Sequence, residues 1–99
     1  MVQNPFGNDL FKEVNFKIST SVTISAGSAQ QITIDTYSCP SDYYPIGYRK
    51  IEVGNYKIQL EKIEVTESGL YMRLGNVTSG AITCNPEATV IFAKKFTVG

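Results

Sequence analysis

Apolar side chains recur at every second position through most of this 99-residue chain. The alternation is clearest in residues 14–18, and it returns in residues 22–24, 32–34 and 70–74. A period of two is the repeat of a β-strand with one buried face, whereas a helix needs apolar residues three and four positions apart. No window keeps that helical spacing for more than one turn. The sequence therefore predicts an all-β protein with little or no helix.

Short polar segments separate the predicted strands. The step Ser19-Thr20-Ser21 predicts a bend where the chain passes from one sheet to another, and the small residues 26–28 predict a hairpin between strands 22–24 and 32–34. Gly54-Asn55 and residues 67–69 predict two further turns. Many short strands with turns every 8–12 residues or so are typical of a sandwich. We expect a single antiparallel, jelly-roll-like β-sandwich.

The alternation changes phase once within a strand. Ile58 and Leu60 fall on one parity, whereas Ile63 and Val65 fall on the other. One extra residue in a strand restores the phase, because a β-bulge places two residues opposite one on the neighbouring strand. The sequence predicts a bulge at residues 61–62 that brings all four apolar side chains to one face.

Two segments lack alternation and are predicted to be long loops. Residues 37–45 carry two prolines, and residues 75–87 lead to the last strand, predicted over residues 88–98. A further strand is predicted over residues 46–53. Binding residues are often found in such loops, because loops tolerate variation that strands do not.

The length allows one domain with one core. Hydrophobic residues make up 42% of the chain and charged residues 18%, which is the balance of a folded protein. Residues 1–13 are polar at the start and lack the charged-then-apolar order of an export signal. We expect residues 1–13 to be a linker, or a remnant of a cut made upstream of the domain. Residues 14–99 are expected to form the β-sandwich head domain.

Charge and the length of the apolar runs each exclude one class of partner. Nine basic and nine acidic residues cancel, and Lys and Arg form no cluster along the chain, so we expect no nucleic-acid partner. The apolar runs are a few residues long, far below the ~20 residues that cross a bilayer. We therefore expect no membrane insertion.

The chain contains no histidine, which removes the base of a Ser-His-Asp triad and a common zinc ligand. The acids are scattered on outward strand positions, as at Glu52, Glu61 and Glu64, a pattern typical of solvated faces. A glycan-cleaving enzyme would need two of them held as a pair. No glycine-rich phosphate loop is present. We expect a non-enzyme with no catalytic residue, no metal and no cofactor.

Two smaller features leave alternatives open. Cys39 and Cys84 are compatible with one disulfide or with two reduced thiols, and sequence alone does not choose between them. The triplet Asn76-Val77-Thr78 matches a glycosylation acceptor. So short a pattern often arises by chance, and we give it little weight.

Six tyrosines are the most suggestive feature for function. Sugars present an apolar C–H face and a rim of hydroxyls, so sugar-binding proteins combine aromatic rings with planar polar groups. The candidate ligand-binding residues are those in or near the proline-bracketed loop and on outward strand positions: Asp42, Tyr43, Tyr44, Arg49, Asn55, Tyr56 and Arg73. In the alternative interpretation, the tyrosines cover sheet edges or fill an interface between subunits.

Three segments together carry a resemblance to a known family: residues 21–34, Pro45-Ile46-Gly47-Tyr48 and the closing residues 88–93. Their order resembles that of the receptor-binding head domains at the tips of tailed-phage fibres and baseplates, including prophage copies. The resemblance covers residues 16–98. The cysteines and the residues before position 16 are outside the pattern.

The resemblance implies a homotrimeric head at the end of a longer tail protein, which is assembled in the host cytoplasm and displayed at the virion tail tip. It implies host attachment through a cell-surface saccharide. Three copies would also bury tyrosines and hide strand edges of a small sandwich. The alternative function is a structural tail or assembly domain, or a protein-interaction domain, that binds no glycan.

Overall fold

The computed structural model describes residues 10–96, and its regular elements are eight β-strands. All strand pairs are antiparallel, which confirms the all-β prediction. The strands are β1 (Phe11–Lys17), β2 (Val22–Ile24), β3 (Ser28–Thr33), β4 (Tyr43–Glu52), β5 (Ile58–Val65), β6 (Leu70–Asn76), β7 (Ile82–Cys84) and β8 (Glu87–Lys94).

The strands form two three-stranded sheets and one small two-stranded sheet. The front sheet has the order β1-β8-β4, the back sheet has the order β3-β6-β5, and the small sheet pairs β2 with β7. β1 pairs with β8, β2 with β7 and β3 with β6, all antiparallel. The first three strands therefore pair with the last three in reverse order, as in a jelly roll. A single buried cluster collects apolar side chains from all three sheets, so the packing is sandwich-like.

The chain changes sheet at the predicted bend. Residues 19–21 lie between β1 of the front sheet and β2 of the small sheet. The predicted hairpin between β2 and β3 is wrong, because β2 pairs with β7 and β3 pairs with β6. The turn itself is present, since the Ser28 amide donates to the Ser25 carbonyl at 3.2 Å and Gly27 has a φ of 65°. This turn redirects the chain from the small sheet to the back sheet.

Both predicted long loops are shorter than expected. β4 begins at Tyr43 rather than at residue 46, and β7 lies inside the segment predicted as the second loop. Pro45 fits in β4 because that strand is at the edge of the front sheet, where a missing amide hydrogen leaves no gap in the ladder. β1 also begins at Phe11, before the predicted domain start at residue 14. The predicted end of the last strand, residues 97–98, lies outside the described residues.

The predicted bulge in β5 is confirmed. The register between β5 and β6 shifts between Leu60 and Lys62, so Glu61 is the extra residue. Because of it, the four apolar residues of β5 face Asn76, Leu74, Met72 and Leu70, which are all buried. β4 has two further register shifts, and Lys50 within the second has a φ of 51°. Such irregularities bend an edge strand and discourage pairing with another chain.

An aromatic group fills one part of the core. The ring centroid of Phe16 lies 4.9 Å from that of Tyr37 and 6.2 Å from that of Phe92, both in edge-on geometry. Tyr37 and Phe92 are stacked at 6.1 Å. The Tyr37 hydroxyl donates to the Thr66 carbonyl at 2.7 Å, and burial raises the pKa of Tyr37 to about 12. Tyr37 therefore joins the loop after β3 to the core, with its hydroxyl in the neutral form.

One buried polar side chain connects the back sheet to the small sheet. Asn76, which is 1% exposed, donates through Nδ2 to the carbonyls of Ile24 at 2.8 Å and Gly80 at 2.9 Å. Its Oδ1 accepts from the Thr78 amide at 2.9 Å and from the Thr78 hydroxyl at 2.7 Å. In the folded protein the amide of Asn76 is committed to these contacts, so the glycosylation triplet is not an accessible acceptor.

Candidate functional site

The structure distributes the seven predicted ligand-binding residues over five places. Tyr44 and Arg49 lie on the outer face of the front sheet, and they are the pair that the fold brings to one surface. The other five lie at the start of β4, in the core, in the β4–β5 turn and on the back sheet: Asp42, Tyr43, Asn55, Tyr56 and Arg73. The site as predicted is therefore not one contiguous surface.

Tyr43 is in the core, which excludes it from a surface site in the folded monomer. Its side chain is 7% exposed, and the Lys12 ammonium lies 4.7 Å from its ring centroid. The prediction treated Tyr43 and Tyr44 as neighbours in a loop. Both belong to β4, and successive residues of a strand point to opposite faces. Tyr44 therefore faces solvent where Tyr43 faces the core.

Asp42, Asn55 and Tyr56 lie at the two ends of β4. Asp42 has a φ of 69°, and its carbonyl accepts from the Lys95 amide at 2.8 Å. In the β4–β5 turn, Asn55 Oδ1 accepts from the Lys57 amide at 2.9 Å. β4 separates Tyr44 from this turn by roughly 25 Å, at about 3.3 Å per residue. Tyr56 is 91% exposed, and the Lys57 ammonium lies 5.7 Å from its ring centroid.

Arg73 lies on the outer face of the back sheet. Its Nε is 3.1 Å from Glu61 Oε1, the carboxylate of the bulge residue in β5. Both side chains are about half exposed. The front and back sheets face each other across the core, so their outer faces point in opposite directions. Arg73 therefore cannot contact a small ligand that is held by Tyr44 and Arg49.

A row of three residues defines the apolar part of the front sheet's outer face. Phe11 of β1 and Tyr44 of β4 both lie opposite Ala93 of β8. Residues directly opposite each other in antiparallel strands point to the same side. Phe11 is 56% exposed and Tyr44 is 41% exposed. Two aromatic side chains thus flank one small residue, about 10 Å apart at the backbone, because adjacent strands are about 4.8 Å apart.

The next row extends the apolar surface. Ile91 of β8 lies opposite Glu13 on one side and Gly47 on the other. Ile46 is the extra residue of the first bulge in β4, so it also lies opposite Ile91, and its side chain is exposed. A Cβ added at Gly47 would meet nothing within 4 Å. Because Gly47 has no side chain, the surface is open on that side of Ile91.

The third row is polar. Asn15 of β1 and Arg49 of β4 lie opposite Thr89, and the Asn15 amide donates to the Thr89 hydroxyl at 3.0 Å. Arg49 Nη1 lies 3.1 Å from Glu13 Oε1, so this ion pair crosses over β8. Thr89 is 8% exposed although it lies on an outer face, because the Asn15 side chain and the Arg49–Glu13 ion pair lie beside it. We name the surface formed by Phe11, Glu13, Asn15, Tyr44, Ile46 and Arg49 the front platform.

The front platform has the chemistry of a flat binding surface. Two half-exposed rings offer apolar faces, and Arg49, Glu13 and Asn15 offer both donors and acceptors beside them. Sequence reasoning identified Tyr44 and Arg49 and missed Phe11, Glu13, Asn15 and Ile46. The parity of β1 was available, because Phe11, Glu13 and Asn15 alternate with Val14 and Phe16. Assigning residues 1–13 to a linker hid that signal.

Both cysteines are free. Cys84 is buried, and burial raises the pKa of its thiol. The Cys39 thiol donates to the Tyr43 carbonyl at 3.2 Å, and its pKa is raised by burial and by the charge of Glu67. Thiolates are the reactive form of cysteine, so a raised pKa and burial both slow alkylation.

We expect iodoacetamide at neutral pH to label Cys39 before Cys84 in the folded protein, because Cys39 is partly exposed. Denaturant should make both thiols react at one rate. Mass spectrometry of the digested protein measures the two sites separately. Rapid labelling of Cys84 without denaturant would contradict its position in the core.

Among residues 10–96, no group of three or more Asp, Glu or Cys side chains is arranged to hold a metal ion, and no helix is long and apolar enough to cross a membrane. Comparison with known proteins finds no matching family model, no similar curated protein and no similar solved structure. The chemistry of the front platform is therefore the main evidence on function.

Proposed function

We propose that this protein is a non-catalytic adhesion domain that binds saccharide on the front platform. One observation carries the proposal: the cross-strand row in which Phe11 and Tyr44 flank Ala93 on an outer face. A monomeric sandwich has little reason to hold two exposed aromatic side chains in one row, because solvated strand faces are usually polar. The small residue between the rings leaves them accessible from the same side.

The polar groups of the front platform suit the hydroxyl rim of a sugar. The Arg49–Glu13 ion pair is half exposed, so its remaining guanidinium hydrogens and carboxylate lone pairs face solvent. Aromatic side chains contribute apolar contact, and the charged groups fix orientation through hydrogen bonds. An extended saccharide across β1, β8 and β4 would meet the Phe11 ring, the gap at Ala93 and the Tyr44 ring in turn.

The sequence resemblance adds a setting to this proposal. A head domain of a phage-type tail protein would use the platform for host attachment, as one of three copies displayed at the virion tail tip. The antiparallel sandwich-like fold is compatible with such a head. The mass of the protein in solution tests the trimer, and a monomer at micromolar concentration would remove that part of the proposal.

The second candidate function is a structural interaction domain of a tail assembly. Phe11, Tyr44 and Ile46 form an exposed apolar patch, which also suits contact with another protein subunit. In that case the patch is covered in the assembly and no sugar reaches it. The two functions differ in what a platform variant loses: saccharide binding in the first, and association between subunits in the second.

Tyr44→Ala is the decisive variant. We expect it to weaken binding of the saccharide identified on a glycan array by about tenfold, which corresponds to ~1.4 kcal/mol of lost ring contact. Tyr56→Ala is the matched control, because Tyr56 is the most exposed tyrosine and lies off the platform. Isothermal titration calorimetry measures both affinities, and the same samples give the molecular mass.

If no glycan on the array binds the intact protein, the adhesion proposal fails. If Tyr44→Ala changes the molecular mass in solution and leaves glycan binding unchanged, the structural interaction domain is the better description. Equal losses for Tyr44→Ala and Tyr56→Ala would place the sugar somewhere other than the front platform.

A further inference from the structure

An open depression lies on the other side of the molecule from the front platform. Its volume is about 360 Å³, and it is lined by residues of the β2–β3 turn, of β3, of the β5 bulge and of the end of β6. Small-molecule sites begin at about 300 Å³, so the depression is large enough for one compact ligand. No residue of the front platform contributes to it.

Small residues create the floor of the depression. Gly75 of the central strand β6 lies opposite Ala29 of β3, and Gly27 precedes them in the turn. A Cβ at position 75 would overlap the Oε2 atom of Glu61, so the Glu61 carboxylate lies directly over Gly75. The bulge in β5 provides Glu61 as an extra outward residue at this point. A glycine in the centre of the back sheet is thus what makes room for a carboxylate above the sheet.

The Glu61 carboxylate is held in place at one oxygen. Its Oε1 accepts from Arg73 Nε at 3.1 Å, whereas Oε2 has no partner among residues 10–96. Arg73 is outside the lining of the depression. Oε2 is therefore an oriented acceptor at the edge of the depression, and a ligand can reach it without displacing Arg73.

The other polar side chains of the lining have their hydrogens occupied. The Ser28 hydroxyl donates to the Ser25 carbonyl at 2.9 Å, and the two Asn76 amide hydrogens go to the carbonyls of Ile24 and Gly80. The side-chain groups that remain are two acceptors, Glu61 Oε2 and the Ser28 hydroxyl oxygen, so a ligand that uses them has to donate hydrogen bonds. Val77 is 71% exposed and adds an apolar wall.

Charge decides between the two kinds of donating ligand. The Arg73 guanidinium already balances the charge of the Glu61 carboxylate, so a cation at Oε2 would gain little net electrostatic attraction and would be repelled by Arg73. A neutral hydroxyl has no such cost, and its hydrogen bond to a carboxylate is charge-assisted. We propose that this depression is a second binding site for a neutral polyhydroxylated ligand of about one pyranose unit, with its hydroxyls on Glu61 and its C–H groups against Val77 and Ala29.

Titration of ¹⁵N-labelled protein with methyl β-glucoside tests the site. We expect the amide signals of Gly27, Ala29 and Val77 to shift in proportion to one another at millimolar sugar. Glu61→Gln should weaken this binding about fivefold, because a charge-assisted hydrogen bond becomes a neutral one. Glu64→Gln is the matched control, since Glu64 lies on the same outer face outside the depression.

Gly75→Ala is a second test that does not change charge. The added Cβ pushes the Glu61 carboxylate aside, which costs little because that side chain is flexible, and it should weaken the same shifts. Unchanged binding in both Glu61→Gln and Gly75→Ala would overturn the proposal. So would glucosamine binding here more tightly than methyl β-glucoside, because that result identifies a cation site.

This second site does not depend on the proposed function of the front platform. Shifts at the depression should persist in Tyr44→Ala, and shifts on the platform should persist in Glu61→Gln. If one group of signals fails to respond to any sugar while the other responds, the failed site is identified without ambiguity. If the two groups respond together in every variant, the depression is not an independent site.

Discussion

Replacing Asn76 with alanine should lower the free energy of unfolding by about 3 kcal/mol, which is roughly 15 °C in melting temperature for a domain of this size. The side chain makes four hydrogen bonds, and the one to the Ile24 carbonyl is buried. The variant leaves that carbonyl without a donor, and such a group costs about 1–3 kcal/mol by itself. Thermal unfolding followed by circular dichroism measures the effect.

Asn55→Ala is the control for this experiment. The Asn55 side chain makes a turn bond to the Lys57 amide near the surface, so its loss should cost at most about 1 kcal/mol. Asn76→Asp should destabilise at least as much as Asn76→Ala, because a carboxylate would face two carbonyls. Equal melting temperatures for Asn76→Ala and Asn55→Ala would mean that Asn76 is not the polar connection described above.

Phe92→Ala should lower the free energy of unfolding by about 4 kcal/mol, within the range of roughly 3–5 kcal/mol for buried phenylalanines. Phe92 is fully buried in the central strand of the front sheet, and it contacts the rings of both Phe16 and Tyr37. Truncation leaves a cavity that these two rings cannot fill without leaving their own positions. Urea unfolding followed by circular dichroism measures the change.

Phe96→Ala is the matched control, because Phe96 has the same chemistry and is 79% exposed. Its replacement should change the free energy of unfolding by less than about 0.5 kcal/mol. A loss above 2 kcal/mol in Phe96→Ala would show that this side chain is covered in solution, which would favour an oligomer. If Phe92→Ala does not express as folded protein, Phe92→Leu should show a smaller loss of the same sign.

Local alternation predicted the strands well because it depends on which residues face the core. Leu70, Met72 and Leu74 alternate with Tyr71 and Arg73, and the first three are fully buried. The bulge at Glu61 was predictable for the same reason. When the apolar residues of one strand change parity, one extra residue is needed to keep them all on the buried face. These features belong to single strands, and neighbouring residues in the sequence determine them.

Pairing could not be predicted from local signals. The turn at residues 25–28 has the composition of a hairpin, but β2 pairs with β7 and β3 pairs with β6, both much later in the chain. The predicted binding site was wrong in part for the same reason, because it depended on strand pairing. Assigning Tyr43 and Tyr44 to a loop placed them together, whereas their pairing with Lys94 and Ala93 in the front sheet places them on opposite faces. The side chains of a flat surface come from different strands, so their proximity appears only when the partners are known.

The pairing of β1 with β8 determines when this protein can fold. The front sheet consists of the first strand and two strands from later in the chain, with β8 in the centre. During synthesis, β1 has no partner until residues 87–94 have left the ribosome. Until then, its apolar side chains are not buried by the front sheet. Topologies dominated by such distant contacts fold slowly, typically in milliseconds to seconds. The front sheet therefore cannot form until β8 has been made, and β1 and β4 lack their central strand during most of the synthesis of this domain.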